Sequence, residues 1–77
     1  MDFYKRVKEL REEKGLSQKE VAVLLNVSHQ FVSSWERDRN RPCYEILVTV
    51  ADFFDVTIDY LLGREDEFGD MIKTKNI

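Results

Sequence analysis

Ser17-Gln18-Lys19-Glu20-Val21-Ala22-Val23-Leu24-Leu25-Asn26-Val27-Ser28-His29-Gln30-Phe31-Val32-Ser33-Ser34-Trp35-Glu36 is the stretch on which the fold of this chain turns. Ser17 followed three residues later by Glu20 is a capping box: each side chain satisfies a free backbone N–H of the other, which marks a helix start. Val21, Ala22 and Leu25 then recur at helical spacing as a stripe to be buried. Asn26 tolerates the left-handed conformation that ends a helix, Val27 follows as an apolar plug, and Ser28 is the next N-cap. The helix it opens, about residues 28–37, turns Phe31 or Val32 and then Trp35 inward. Two short helices joined by so tight a turn cross at a large angle, and the N-terminal half of the second is left exposed.

The helical punctuation continues outward on both sides. Upstream, Phe3, Val7 and Leu10 form the apolar stripe of a first helix, about residues 2–14, and Gly15 supplies its left-handed stop. Downstream, Arg37-Asp38-Arg39-Asn40-Arg41 reads as an exposed basic loop, and Pro42 helps launch a fourth helix, about residues 43–54. Leu47, Val50, Ala51 and Phe54 are its core stripe. Thr57 caps a short fifth helix with Ile58, Leu61 and Leu62 turned inward and Gly63 as its stop. No segment alternates in polarity as a strand would. The expected fold is all-α: a compact five-helix domain over residues 1–63 that contains a helix-turn-helix at about 17–36. Residues 64–77 form a tail of another kind. Arg64-Glu65-Asp66-Glu67 is solvated, yet Phe68, Met71 and Ile72 recur at short spacing. A docking turn, an oligomer contact and a frayed end are all open, with a frayed or loosely docked end preferred.

Composition excludes several classes of function. A chain of 77 residues has room for one small domain whose core must be efficiently built. Cys43 is the single cysteine and His29 the single histidine, so no intrachain disulfide and no multi-Cys metal site can form, and the lone histidine adds nothing toward a metal constellation. That usage fits a reducing cytoplasm. The N-terminus lacks the apolar stretch of a signal peptide, and the run Val21–Leu25 is too short to span a bilayer. There is no paired nucleophile and base, no Gly-rich phosphate loop and no ligand cluster, so no enzyme, cofactor or small-molecule substrate is expected. Cys43 at a helix start reads as an ordinary small residue there, with redox sensing a speculative alternative.

The exposed start of the helix at 28–37 carries His29, Gln30, Ser33 and Ser34, which are polar, uncharged and mostly short. A structural helix of an ordinary bundle would more often place Glu, Lys and Ala there. A major groove of ~12 Å accepts one such helix; Gln pairs bidentately with an adenine edge, His donates or accepts, and Ser adapts. Charge permits this reading without demonstrating it. Overall net charge is −3, but residues 1–16 and 17–43 each carry +1 whereas 44–63 carry −4. An acidic rear and a mildly basic front would orient such a domain on DNA.

With these residues in place, the chain closely resembles the lambda-repressor-like, Xre-type family of prokaryotic helix-turn-helix regulators. The likeness rests on Arg11, on Gly15-Leu16-Ser17-Gln18-Lys19-Glu20-Val21-Ala22, on Asn26-Val27-Ser28, Val32-Ser33 and Trp35-Glu36-Arg37, and on Pro42, Ala51, Val56 and Asp59-Tyr60-Leu61-Leu62. It runs over about residues 3–63. The resemblance implies double-stranded DNA as partner. It also implies Gln18, with Lys19 beside it, as a phosphate anchor, a role that a helix N-terminus favours independently. His29, Gln30 and Ser34 match positions that meet base edges, with Ser28 and Ser33 nearby as base or phosphate contacts. Arg39, Asn40 and Arg41 match the loop that grips the backbone. Arg11 and Glu36 match a structural pair that fixes helix orientation, and Trp35 is expected in the core rather than as a stacking platform.

The chain departs from that family in several places. Asn26 and Asp38 stand where glycine is common, and both tolerate a positive φ. Val23 and Leu24 occupy positions that are often polar. Ile46, Val48 and Phe53 widen the apolar surface of the fourth helix beyond one stripe. Phe68 and Met71 of the tail, or a second subunit, would cover that surplus, and a homodimer reading a palindromic operator is the favoured outcome. The rival reading is a helical protein-interaction module, an antitoxin or regulator-binding protein, with little or no specific DNA binding.

Overall fold

Serine and threonine hydroxyls open three of the helices in the computed structural model, which describes residues 3–64. Ser17 begins α2 (Gln18–Leu25): the Glu20 amide donates to Ser17 Oγ at 3.0 Å and the Ser17 amide donates back to Glu20 Oε1 at 2.8 Å. The amide bond to its carboxylate, then the hydroxyl, holds the Glu20 carboxyl below its usual range. Ser28 Oγ accepts from the Phe31 amide at 3.0 Å to begin α3 (His29–Glu36), and Thr57 Oγ1 accepts from the Tyr60 amide at 2.9 Å to begin α5 (Ile58–Leu61). The other two helices are α1 (Phe3–Glu13) and α4 (Tyr44–Phe54). At α4 the N-cap is Cys43, which makes no side-chain capping bond and follows directly on Pro42. No strand occurs among the described residues.

All five helices of the described residues close in the same way. An amide just past the end reaches back five residues: Leu16 to Arg11, Val27 to Ala22, Arg39 to Ser34, Val56 to Ala51 and Arg64 to Asp59, at 2.7–3.1 Å. Such a closure requires a left-handed residue just before that amide. Gly15 and Gly63 provide it without strain, with φ of 68° and 78°. Asn26, Asp38 and Asp55 provide it at φ of 58°, 57° and 55°, as short polar side chains can. Asn26 and Asp38 were expected in this role; Asp55 is a third.

Trp35 is the centre of the core, fully buried, with the Phe31 ring 5.0 Å away and the Phe3 ring edge-on at 6.0 Å. No described residue accepts a hydrogen bond from its Nε1. Val32, Val50 and Leu61 are buried beside it, and Phe3, Val7, Val21, Ala22, Leu25, Ala51 and Phe54 complete the core. Of the alternatives at the start of α3, Val32 points fully inward and Phe31 only half-way. Leu10, Leu47 and Ile58 flank the core, half-buried, as does Leu62.

α3 packs on α1 and α2, whereas α5 packs on α1 and α4. Arg6 ties α1 to α5: its guanidinium donates to the Tyr60 carbonyl at 2.8 Å and lies 4.3 Å from the centre of the Tyr60 ring. The surplus apolar residues of α4 (Ile46, Val48 and Phe53) are half-buried, with the Lys14 ammonium 6.0 Å from the Phe53 ring. Phe68, Met71 and Ile72, offered as their cover, lie outside the described residues. Among the described residues no helix is long and apolar enough to cross a membrane.

Because Leu61 is completely buried where α5 meets α1 and α4, Leu61→Ala should cost ~2–5 kcal/mol of stability. Urea unfolding checks this, and a loss well under ~1 kcal/mol would show that α5 is not part of the cooperative core.

Candidate nucleic-acid interface

The turn Asn26-Val27-Ser28 sets α3 against α2, and burial divides α3 lengthwise. Val32 and Trp35 face the core; His29 and Gln30 are exposed; Ser33 and Ser34 are half-buried. The fully exposed edge is thus narrower than the sequence suggests, because the last two serines are half-buried. Ser34 also donates its hydroxyl to the Phe31 carbonyl at 2.8 Å, which leaves its oxygen lone pairs as the outward-facing chemistry. Ser28 is exposed, but its hydroxyl caps α3, so its first role is to hold the helix start in place.

Beneath this edge runs a chain of polar contacts that joins three helices. Arg11 of α1 grips Glu36 at the end of α3 in bidentate fashion, Nε to Oε2 at 2.7 Å and a terminal nitrogen to Oε1 at 3.0 Å. Its remaining terminal nitrogen donates to the Leu16 carbonyl at 2.8 Å. The two side chains are only 13% and 4% exposed. The Glu36 hydrogen bond pushes the Arg11 pKa up, against the opposing effect of burial, so the guanidinium stays charged at any working pH. Gln18 donates through Nε2 to Glu36 Oε1 at 3.0 Å, and its Oε1 lies 3.3 Å from His29 Nε2. Sequence reading treated Arg11 and Glu36 as a structural pair and Gln18 and His29 as separate ligand contacts. The structure links all four, a connection between residues of three helices that no local pattern carries.

The loop after α3 is open to solvent from Arg37 to Arg41, with Lys19 exposed at the start of α2. Arg41 is paired there with Asp38 at 2.8 Å, each side chain nearly half exposed. Asp38 therefore does two things: it supplies the left-handed turn and it partly neutralises a candidate phosphate contact. Sequence reading found only the first. Arg39 and Asn40 extend the same exposed loop. Opposite in character, the segment from α4 through α5 carries Glu45, Asp52, Asp55 and Asp59 and no cation of its own, with Arg64 just beyond it 3.3 Å from Asp59. No group of three or more metal-ligating side chains occurs among the described residues.

A fold of this kind, two short helices crossed at a three-residue turn and buttressed by three more, defines a class by itself. The family model for the helix-turn-helix matches residues 7–61, and the chain belongs to that family. It is 38% identical over 66 residues to the HTH-type transcriptional regulator ImmR of Bacillus subtilis (strain 168), a match that covers 86% of this chain and 52% of ImmR. The chain therefore spans about half the length of that relative. Among solved structures it is similar to a transcriptional regulator from Listeria innocua, with TM-score 0.76 and 32% identity over 84% of this chain and 61% of that one. It is also similar to SinR, a master regulator for biofilm formation solved in complex with DNA, with TM-score 0.72 and 34% identity over 78% of this chain and 97% of that one.

The Arg11–Glu36 pair should behave as a coupled unit. Arg11→Ala and Glu36→Ala should each cost ~3–5 kcal/mol, because each strands a poorly hydrated charge. The double variant should fall well short of their sum, so a double-mutant cycle should give a coupling of at least ~1 kcal/mol. Additive losses in urea unfolding would mean that the two groups act independently.

Proposed function

We propose that this chain is a sequence-specific DNA-binding transcriptional regulator that inserts α3 into the major groove. One observation carries the reading. The exposed start of α3 bears no charged side chain, yet along the chain it stands between exposed cations, Lys19 before it and Arg37, Arg39 and Arg41 after it. Uncharged polar groups that can discriminate between base edges, set between groups that attract phosphates, are what a groove-reading helix needs. The likeness to SinR, solved with DNA, supports it.

In this reading His29, Gln30 and Ser34 face base edges, with Ser33 beside them as a base or phosphate contact. Gln18 and Ser28, at the starts of α2 and α3, meet phosphates through their helix N-termini and side chains. Lys19, Arg39, Asn40 and Arg41 grip the strand on either side, with Arg41 exchanging Asp38 for phosphate. The acidic α4 and α5 face away from DNA and bias the approach. Residues 1–63 form the DNA-binding unit, and 64–77 serve as a docking or dimer-contact tail. The half-buried surplus on α4 supports a homodimer that reads half-sites ~34 Å apart, or a multiple of that. Repression by occupancy of a promoter in the cytoplasm is the simplest action of such a module. It requires no catalysis and no bound cofactor.

A second reading has its own observation. Val23 and Leu24 on α2 are 72% and 57% exposed, and with Lys19 and Glu20 they line a shallow recess. Apolar side chains so open to water suit a protein contact, as a helical interaction module with little DNA affinity would use.

Selection of a random DNA library with the purified chain at ~0.15 M salt separates the two. Recovery of a palindrome is the expected result, and an unenriched pool with weak, salt-sensitive binding would favour the protein-contact reading. On the selected site, Gln30→Ala should cost ~1–3 kcal/mol and relax the preference at one base pair. Arg41→Ala should instead weaken all DNA alike and lower the salt dependence by about one unit of slope. Equal losses on specific and random DNA for both variants would overturn this division of roles.

A further inference from the structure

His29 is the first residue of α3, exposed, with Nε2 3.3 Å from Gln18 Oε1. An imidazole nitrogen in that place either donates or accepts, and its partner decides which. The polarity of that partner is itself fixed one step further back. Gln18 reaches Glu36 Oε1 at 3.0 Å, and a carboxylate clasped by Arg11 offers only acceptors. Were the amide turned over, two oxygens would face each other beside a nearly buried charge. The NH2 end of Gln18 therefore belongs to Glu36, and its Oε1 faces His29. An amide oxygen only accepts, so the proton of the imidazole sits on Nε2.

In a neutral ring the second nitrogen is then an acceptor. The two ring nitrogens diverge, so holding Nε2 against α2 turns Nδ1 away from it, and Nδ1 has no hydrogen-bond partner among the described residues. We propose that Arg11, Glu36 and Gln18 form a relay that fixes His29 as its Nε2–H tautomer. Nδ1 then selects a base with an exocyclic amino group in the major groove, N6 of adenine or N4 of cytosine. It selects against O6 of guanine and O4 of thymine, which present a second acceptor to it. His29 is a specificity-determining group beside Gln30, and Gln18 is its positioning residue. The base-class part of this inference rests on the reading of α3 as the groove helix; the tautomer part stands on the free protein alone.

Two measurements on the full chain test it. His29 is the only histidine, so its ring nitrogens give an unambiguous long-range ¹H–¹⁵N correlation spectrum. In alkaline solution, where imidazole is neutral, the free protein should show the Nε2–H form alone, and Gln18→Met should return it to a tautomer mixture. A mixture in the unaltered protein, or a spectrum that Gln18→Met leaves unchanged, overturns the relay. In library selection, the base-pair column whose preference vanishes in His29→Ala should hold adenine or cytosine. The preference there should fall roughly three- to tenfold in Gln18→Met, the worth of one hydrogen bond. A His29-dependent column of guanine or thymine overturns the base-class assignment while leaving α3 as the reader. A pool with no enrichment removes the groove reading and the base-class assignment together, and the spectrum still decides the relay.

Discussion

Glu36 sits nearly out of reach of water at the end of α3, and it can do so only because Arg11 meets it with two parallel hydrogen bonds. A carboxylate in that setting without a partner would carry several kcal/mol of desolvation cost, on the order of the stability of a small domain. Three helices answer to this one group. Arg11 comes from α1, Glu36 from α3, and Gln18, the first residue of α2, donates to the same Oε1 that Arg11 holds. The angle of α3 to α2, on which any presentation of α3 depends, is thus set by directional hydrogen bonds as well as by the packing of Trp35. Hydrophobic burial tolerates small rotations. A bidentate guanidinium–carboxylate pair does not.

Around that anchor the chain is organised by local rules repeated five times. Each helix ends in a left-handed residue and an amide that reaches back five positions. The repetition matters for the proposed interface, because at α3 it throws the chain outward at Asp38 and places Arg39, Asn40 and Arg41 in solvent beside the helix. The same aspartate then holds Arg41 in a screened, exposed ion pair. Such a pair contributes little to stability. Its consequence lies elsewhere, in moderating the positive field of a loop that belongs to a chain of net charge −3. Modest attraction and uncharged groups on the reading edge suit discrimination more than indiscriminate grip.

Much of this was legible in the residues. Ser17 with Glu20, Ser28 and Thr57 announced three helix starts, and Gly15, Asn26 and Gly63 announced stops, since these are interactions within a few residues of backbone. The buried stripes followed in the main from helical spacing: Trp35 was placed, the choice between Phe31 and Val32 was left open, and Leu10, Leu47, Ile58 and Leu62, read as turned inward, are half-buried. Asp55 escaped notice as a left-handed stop, although an aspartate between two apolar stripes was the available signal. Ser33 and Ser34 were read as exposed residues near the start of α3. Both are half-buried, an outcome of how α3 packs on α1 and α2 that one helix taken alone does not indicate.

Sequence by itself determined the element order, the caps, the core stripes and the set of residues from which an interface could be built, because each depends on contacts spanning no more than a turn of helix. Only the tertiary structure decided how those residues are wired together. The contact of Gln18 with Glu36, and of His29 with Gln18, joins positions 18 and 11 residues apart through the crossing of α2 and α3. Donor and acceptor polarity passes along such contacts one group at a time. A list of residues records what each side chain is able to donate or accept, and the fold selects which of those options is used.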